Sequence, residues 1–344
     1  MKGVWLVFPS TQKFSHKFNL GVIGLLGVLM LGLIVGCSNS GNKGSSAVAA
    51  TPSPAAANLA ENTETRIIST IKGDIEIPAH PKKVAGMLYV FADHLLALGI
   101  EPHAMVTYND LGFPEYLADQ MKDTIAIGSG EAPNLEALLE SEPDLILASK
   151  TLNEENYEQL SRIAPTILFD NENEEDWTRF RQTAEIFGKE AEADQIHADY
   201  EAKIAKVRDK LAAAAPNETV AYMRIQDKQL QLIQPGDNFT LFGPLGRTPA
   251  STERIDFKDS WNVAISEEVL PELNPDRMFI ILRPGDSNQT ALDNIMNTSI
   301  WANLTAVKNN HVYIGDANLW FAGYGPIGLS KVIDEISGAY VPEI

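Results

Sequence analysis

Residues 190–214 read EAEADQIHADYEAKIAKVRDKLAAA, and their pattern decides the architecture. Ile196, Tyr200, Ile204, Val207 and Leu211 recur every three or four residues, the spacing of one apolar face on an α-helix. At roughly 1.5 Å per residue, a helix from Glu190 to Ala214 is about 37 Å long, and Pro216-Asn217 ends it. A shorter helical pattern of Trp177, Phe180, Ala184 and Phe187 precedes it, loosened from it by Gly188. A helix of this length near mid-chain can cross from one lobe to another, or lie along the surface of a single domain.

On its N-terminal side, Ile67-Ile68 to Ile71, then Lys72-Gly73-Asp74, then Ile75–Pro78 read as a hairpin around a glycine turn. After it, strand patterns at Val84–Leu88, Ala104–Thr107, Thr124–Ile127, Leu145–Ser149 and Thr166–Phe169 alternate with helical ones at Ala92–Leu98 and Leu135–Leu139. On the C-terminal side, Val220–Ile225 and Leu230–Ile233 form a strand pair joined through Asp227-Lys228. Phe279–Leu282 and Val312–Ile314 are further strands, and Leu329–Ile336 is a closing helix. Such alternation marks βαβ units on largely parallel sheets. The expected fold class is therefore α/β: two Rossmann-like lobes, residues 66–189 and 215–344, joined by the single helix 190–214.

The chain has 344 residues, 44% hydrophobic and 21% charged, which excludes a polytopic membrane protein and a wholly disordered chain. Residues 1–36 hold three lysines and no acid, leaving 24 basic against 46 acidic side chains beyond them, a net −22. Such a surface repels phosphate backbones, so nucleic acid is not expected as a partner. The single cysteine, Cys37, allows no intrachain disulfide and no metal site built from several thiolates. Lys2, Lys13 and Lys17 precede an apolar run, Leu20–Val35, that is short for a membrane span and suited to a signal-peptide core. The run ends in Leu33-Ile34-Val35-Gly36-Cys37 and turns polar at Ser38-Asn39-Ser40. A branched apolar residue, a small one and then cysteine resembles the lipobox of bacterial lipoproteins, whose thiol takes a diacylglycerol and becomes the new N-terminus. Residues 1–37 are thus expected to be a signal peptide with its lipidated cysteine. Residues 38–65, rich in small and polar side chains, are expected to be a disordered linker. The mature protein is expected to be exported and lipid-anchored, on the periplasmic or extracytoplasmic face of the membrane.

Several segments together resemble the substrate-binding proteins of iron-siderophore and cobalamin importers of the ATP-binding-cassette type. Asp74-Ile75-Glu76-Ile77-Pro78-Ala79-His80-Pro81-Lys82-Lys83-Val84 resembles that family's opening hairpin and first strand, and Phe91–Ile100 the helix that follows. Asn134-Leu135-Glu136 through Glu142-Pro143-Asp144-Leu145-Ile146-Leu147 resembles its most recognisable N-lobe motif. In the second lobe, Ile265–Leu273 and Trp301–Lys308 match in order and spacing. The resemblance covers residues 66–340. It implies two α/β lobes bridged by one long helix, a ligand in the cleft between them, a membrane permease that docks across both tips, a monomer, and no cofactor.

In open α/β sheets ligands bind beyond the carboxyl ends of the strands, a rule that yields a shortlist without any family. Tyr89 and Phe91 follow the first long strand, Tyr108 the next and Lys150 the strand after Pro143. Arg224 lies at the end of Val220–Ile225, Arg283 follows Phe279–Leu282, and Trp320, Phe321 and Tyr324 follow Val312–Ile314. Aromatics there cover apolar ligand surface, and arginines pair with anionic oxygens. The resemblance narrows the set: Tyr222-Met223-Arg224 is similar to the segment that contacts hydroxamate siderophores in the ferric-hydroxamate branch, and Trp320 to a tryptophan lining the same pocket. Tyr222 stands where that branch often has tryptophan. Glu136 and Glu268 each sit in the first turn of an expected helix, after Asn134 and Ser266 as caps. An acid there also favours the helix dipole, but the resemblance assigns these two to docking on permease arginines.

His80, His94 and His103 share no helical face, so no metal site is expected from them. No nucleophile elbow, phosphate-binding loop or zincin motif occurs, which ranks an exported enzyme of the same architecture last. Ligand alternatives to an iron(III)–siderophore complex are cobalamin, haem, catecholates and ferric citrate.

Overall fold

Strands that bury both faces build the first lobe. The structure is a computed structural model and describes residues 64–108, 112–170, 176–236, 240–258 and 260–340. The expected signal peptide, Cys37 and nearly all of the linker lie outside those residues. β1 (Thr65–Thr70) and β2 (Gly73–Pro78) form the antiparallel hairpin. β3 (Val84–Gly86), β4 (Ala104–Thr107), β5 (Ile125–Ser129), β6 (Leu145–Ser149) and β7 (Thr166–Phe169) form an all-parallel sheet in the order β5-β4-β3-β6-β7. The run of four apolar residues opening β6 follows from this position, because helices cover both faces of a central parallel strand. Leu145 and Leu147 pack with Phe91, Met105 and Phe169 on one face, and Ile146 and Ala148 with Leu138 and Leu160 on the other.

The second lobe carries β8 (Thr219–Gln226), β9 (Gln229–Ile233), β10 (Thr248–Pro249), β11 (Asn262–Ala264), β12 (Arg277–Leu282) and β13 (Val312–Asp316). Their order is β11-β9-β8-β12-β13, with β10 on β8. β8, β12 and β13 run parallel, while β9 and β11 are antiparallel neighbours at one edge. Asp227 and Lys228, at φ 53° and 63°, make the two-residue turn whose twist matches a right-handed hairpin.

The helix Glu190–Ala214 joins the two. Its first turns belong to the first lobe: Ala193 and Ile196 pack with Leu98, Phe180 and Ala184. Its later turns belong to the second: Tyr200, Ile204, Val207 and Leu211 enter the cluster that holds Val220, Tyr222 and Phe279. One apolar stripe thus serves two cores in succession, which is why the period persists for the whole length. Glu190 and Glu192 in the first turn favour the dipole. The closing helix, Pro326–Tyr340, starts earlier than its apolar pattern and lies along the bridging helix, where Lys203 reaches Ser330 and Asp334. Among the described residues, no helix is long and apolar enough to cross a membrane.

Candidate functional site

The chain order places a switch point in each sheet, between β3 and β6 in the first and between β8 and β12 in the second. On β8 the side chains of Val220, Tyr222 and Arg224 share one face. The first two are buried in the core, and Arg224 emerges where the strand runs out. Arg224 faces Ile281 on β12, and two residues on, the Arg283 amide donates to the Ile225 carbonyl at 3.1 Å. Two arginines therefore stand at the carboxyl ends of adjacent strands, and both line one cleft.

Arg224 is held on three sides. Its Nε donates to Gln231 Oε1 at 2.5 Å across the β8–β9 pair. Its guanidinium lies 4.2 Å from the Trp261 ring and 5.6 Å from the Phe321 ring. Stacking of this kind orients the fork and lowers the entropy lost when it binds an anion. Burial pulls the Arg224 pKa below its ordinary value, opposed by Tyr108 and Tyr222. The facing wall comes from the first lobe. Tyr108, just past β4, lines the same cleft as Arg224, Gln226, Arg283, Ala317 and Phe321. Burial raises the Tyr108 pKa while the Arg283 and Arg224 charges lower it, so the phenol remains a donor at neutral pH. Tyr89 packs edge-on against Tyr108 at 4.8 Å, and Tyr324 is close enough to Tyr222 and Arg224 to act on both.

Other expected residues are set back. Tyr222 is 3% exposed and Trp320 is 8% exposed. Trp320 donates its indole N–H to Glu335 at 2.6 Å and packs on Phe279 and Tyr313. The reason is helical phase. The Asp316 side chain caps the helix Ala317–Ala322, which turns Trp320 inward onto the closing helix and sends Phe321 into the cleft. Phe91 is wholly buried. Lys150 pairs with Asp170 at 3.0 Å, beyond the end of β7. Trp261 and Gln231 have no counterpart in the sequence reading. Of the acids, Glu136 is exposed in the first turn of Leu135–Glu140, and the Asn134 side chain caps that helix as expected. Glu268 is exposed in a 3-10 turn, Glu267–Val269, for which Ser266 supplies no side-chain cap. His80 is exposed, His94 is buried against Thr183, and His103 meets the Ser141 carbonyl, three separate places.

Two α/β lobes joined by one long helix, with arginines and aromatics at strand ends, are the architecture of a solute-binding protein. The family described as Periplasmic binding protein matches residues 90–319, and the chain belongs to that family. It is 30% identical over 331 residues to the iron(3+)-hydroxamate-binding protein YxeB of Bacillus subtilis, covering 93% of this chain and 96% of that one. It is 28% identical to the Fe(3+)-citrate-binding protein YfmC of the same organism, covering 90% and 92%. Among solved structures, Staphylococcus aureus SirA complexed with staphyloferrin B superposes with a TM-score of 0.65 at 26% identity, covering 80% of this chain and 98% of that one.

Proposed function

We propose that the chain is the substrate-binding protein of an ATP-binding-cassette importer, and that it captures an iron(III)–siderophore complex of hydroxamate or citrate–hydroxamate type between its lobes. The observation that carries this is the pair Arg224 and Arg283, beside Trp261 and Phe321 and opposite Tyr108, on a protein of strongly acidic composition. Ferric siderophores present clustered oxygen donors, often with residual negative charge, on an organic shell of mixed polarity. Guanidinium forks donate paired bonds to such oxygens while aromatic faces cover the shell. The siderophore fills the iron's coordination sphere, so the protein supplies no iron ligand, carries no resident cofactor and turns nothing over. In this reading Tyr222 and Trp320 back the site rather than touch the ligand, and Lys150 stays with Asp170. A ferric citrate ligand is the second reading, favoured by the resemblance to the citrate-binding relative.

Trp261 beside Arg224 is a built-in reporter. Titrating tryptophan fluorescence with ferrioxamine B, ferric citrate, haem, cobalamin and bare ferric ion should show saturable quenching by a ferric chelate and none by bare iron. Binding of haem or cobalamin with no response to any ferric siderophore overturns the reading.

The same proposal places the mature chain outside the cytoplasm as a monomer, tethered through a lipid on Cys37. Cys37→Ala should leave unprocessed precursor, visible as a larger band on immunoblots. Normal cleavage and unchanged membrane partitioning in that variant contradict the anchor.

A further inference from the structure

Asp93 belongs to the helix Val90–Ala97 of the first lobe and is 0% exposed. Its carboxylate accepts hydrogen bonds from the backbone amides of Ile327 at 2.9 Å and Gly328 at 2.8 Å. Those are the second and third residues of the closing helix, which follows the second lobe's last strand. A side chain of one lobe therefore caps a helix of the other, more than 230 positions away in sequence. The local sequence is shaped for that approach. A Cβ on Gly325 would lie 2.3 Å from the Asp93 carboxylate, and one on Gly328 2.4 Å from the Gly323 backbone. Pro326 opens the helix without needing a partner for an N–H.

The carboxylate connects to both cleft walls. Tyr324 lies three residues before Ile327, on the segment that Asp93 fixes. On the other side, the Tyr116 hydroxyl donates to Asp93 at 3.0 Å, and Tyr116 is close enough to Tyr89 to be influenced by it. Tyr89 in turn packs on Tyr108.

We propose that Asp93 is a positioning residue for ligand binding: by capping the closing helix from across the lobe boundary, it sets the separation of Tyr108 and Tyr324 and keeps the cleft formed before ligand arrives. This rests on the cleft being the ligand site. Energetics favour a positional role. Burial raises the Asp93 pKa to about 6, outweighing the two amides and Tyr116, which pull it down. The folded value exceeds the unfolded one, so the folded state binds more protons between about pH 4 and 6. Global stability therefore falls as pH rises through that window, and at neutral pH the charged carboxylate costs stability while making the best cap. The groups around it leave the window clear. His94 faces Thr183 and is held neutral, its pKa lowered to about 3 by burial and by Arg179 on the helix Asp176–Glu185. The closing helix has no acid in its first turn, and Lys203 of the bridging helix is engaged by Ser330 and Asp334.

The test is Asp93→Asn in the full-length protein, an isosteric change that leaves one acceptor for two amides. At pH 7.5, hydrogen exchange at Ile327 and Gly328 should quicken at least tenfold, and small-angle scattering should report a broader distribution of lobe separations. The melting temperature should hold or rise, and its fall between pH 4 and 6 should flatten. Ferrioxamine B affinity should drop about tenfold or more. In the wild type, exchange at those amides should approach the variant's as pH falls from 7.5 to 5. Asp93→Glu should fail to rescue, because Gly325 leaves no room. Unchanged exchange and scattering in Asp93→Asn overturn the proposal, as does an affinity loss that only tracks a lower melting temperature. If ferrioxamine B and ferric citrate bind neither protein, the cargo reading fails, while exchange and scattering still decide what Asp93 does.

Discussion

Arg224→Ala is expected to weaken binding of ferrioxamine B about tenfold to ten-thousandfold while leaving the fold intact. A hydrogen bond to a charged group contributes about 1.5–3 kcal/mol, and the variant loses one or two of them. It also leaves Gln231 without its Nε partner and uncovers the faces of Trp261 and Phe321, so the surface that covers the organic shell loosens. Stability should move little, because Arg224 is half-buried at a strand end and outside the apolar clusters. Arg224→Lys should recover only part of the affinity, since an ammonium lacks the planar fork that stacks and donates in pairs. Calorimetric titration of both variants with ferrioxamine B and ferric citrate checks this. Wild-type affinity of Arg224→Ala for every ferric chelate removes Arg224 from the site.

What could be read beforehand follows from range of interaction. The lobes and the bridging helix were legible because their apolar periods are local and long, and the Glu190–Ala214 stripe carries its phase through two cores. The helix Asp286–Met296 was not, because only Asn288, Leu292 and Ile295 are buried on it. Arg224 and Arg283 were legible from the strand-end rule. Trp320 and Phe321 were not separable, because neighbouring aromatics trade places when a helix starts one residue earlier or later, and Asp316 sets that start. Trp261 sits beside β11, a three-residue strand whose pairing with β9 has no pattern of its own. Asp93 carries no signal at all: an aspartate on an apolar helix acquires its meaning only from amides in the other lobe.

Reversing both lobe-tip acids, Glu136→Lys with Glu268→Lys, should abolish permease-dependent uptake of a ferric siderophore and leave its affinity for the isolated protein within about twofold of wild type. Each acid is exposed, one on each lobe, and neither lines the cleft. Exposed charges contribute about 0–1 kcal/mol to folding, and loss of an acid from a helix's first turn costs about 0.3–1 kcal/mol, so both lysines are tolerable. At an interface the arithmetic differs. If these acids meet permease arginines, a lysine in their place turns attraction into repulsion, and like charges brought together cost several kcal/mol. Glu136 also shares its helical face with Leu139, which is 59% exposed and supplies apolar contact beside the charge. Docking through both lobes would act as one bivalent contact, so a single reversal should reduce uptake and the pair should remove it. Proteoliposomes carrying the cognate permease, with uptake and ATP hydrolysis measured for wild type, each single variant and the double, provide the test. Wild-type uptake by the double variant dismisses these residues from docking, and a collapse of ligand affinity alongside uptake moves them to the cleft instead.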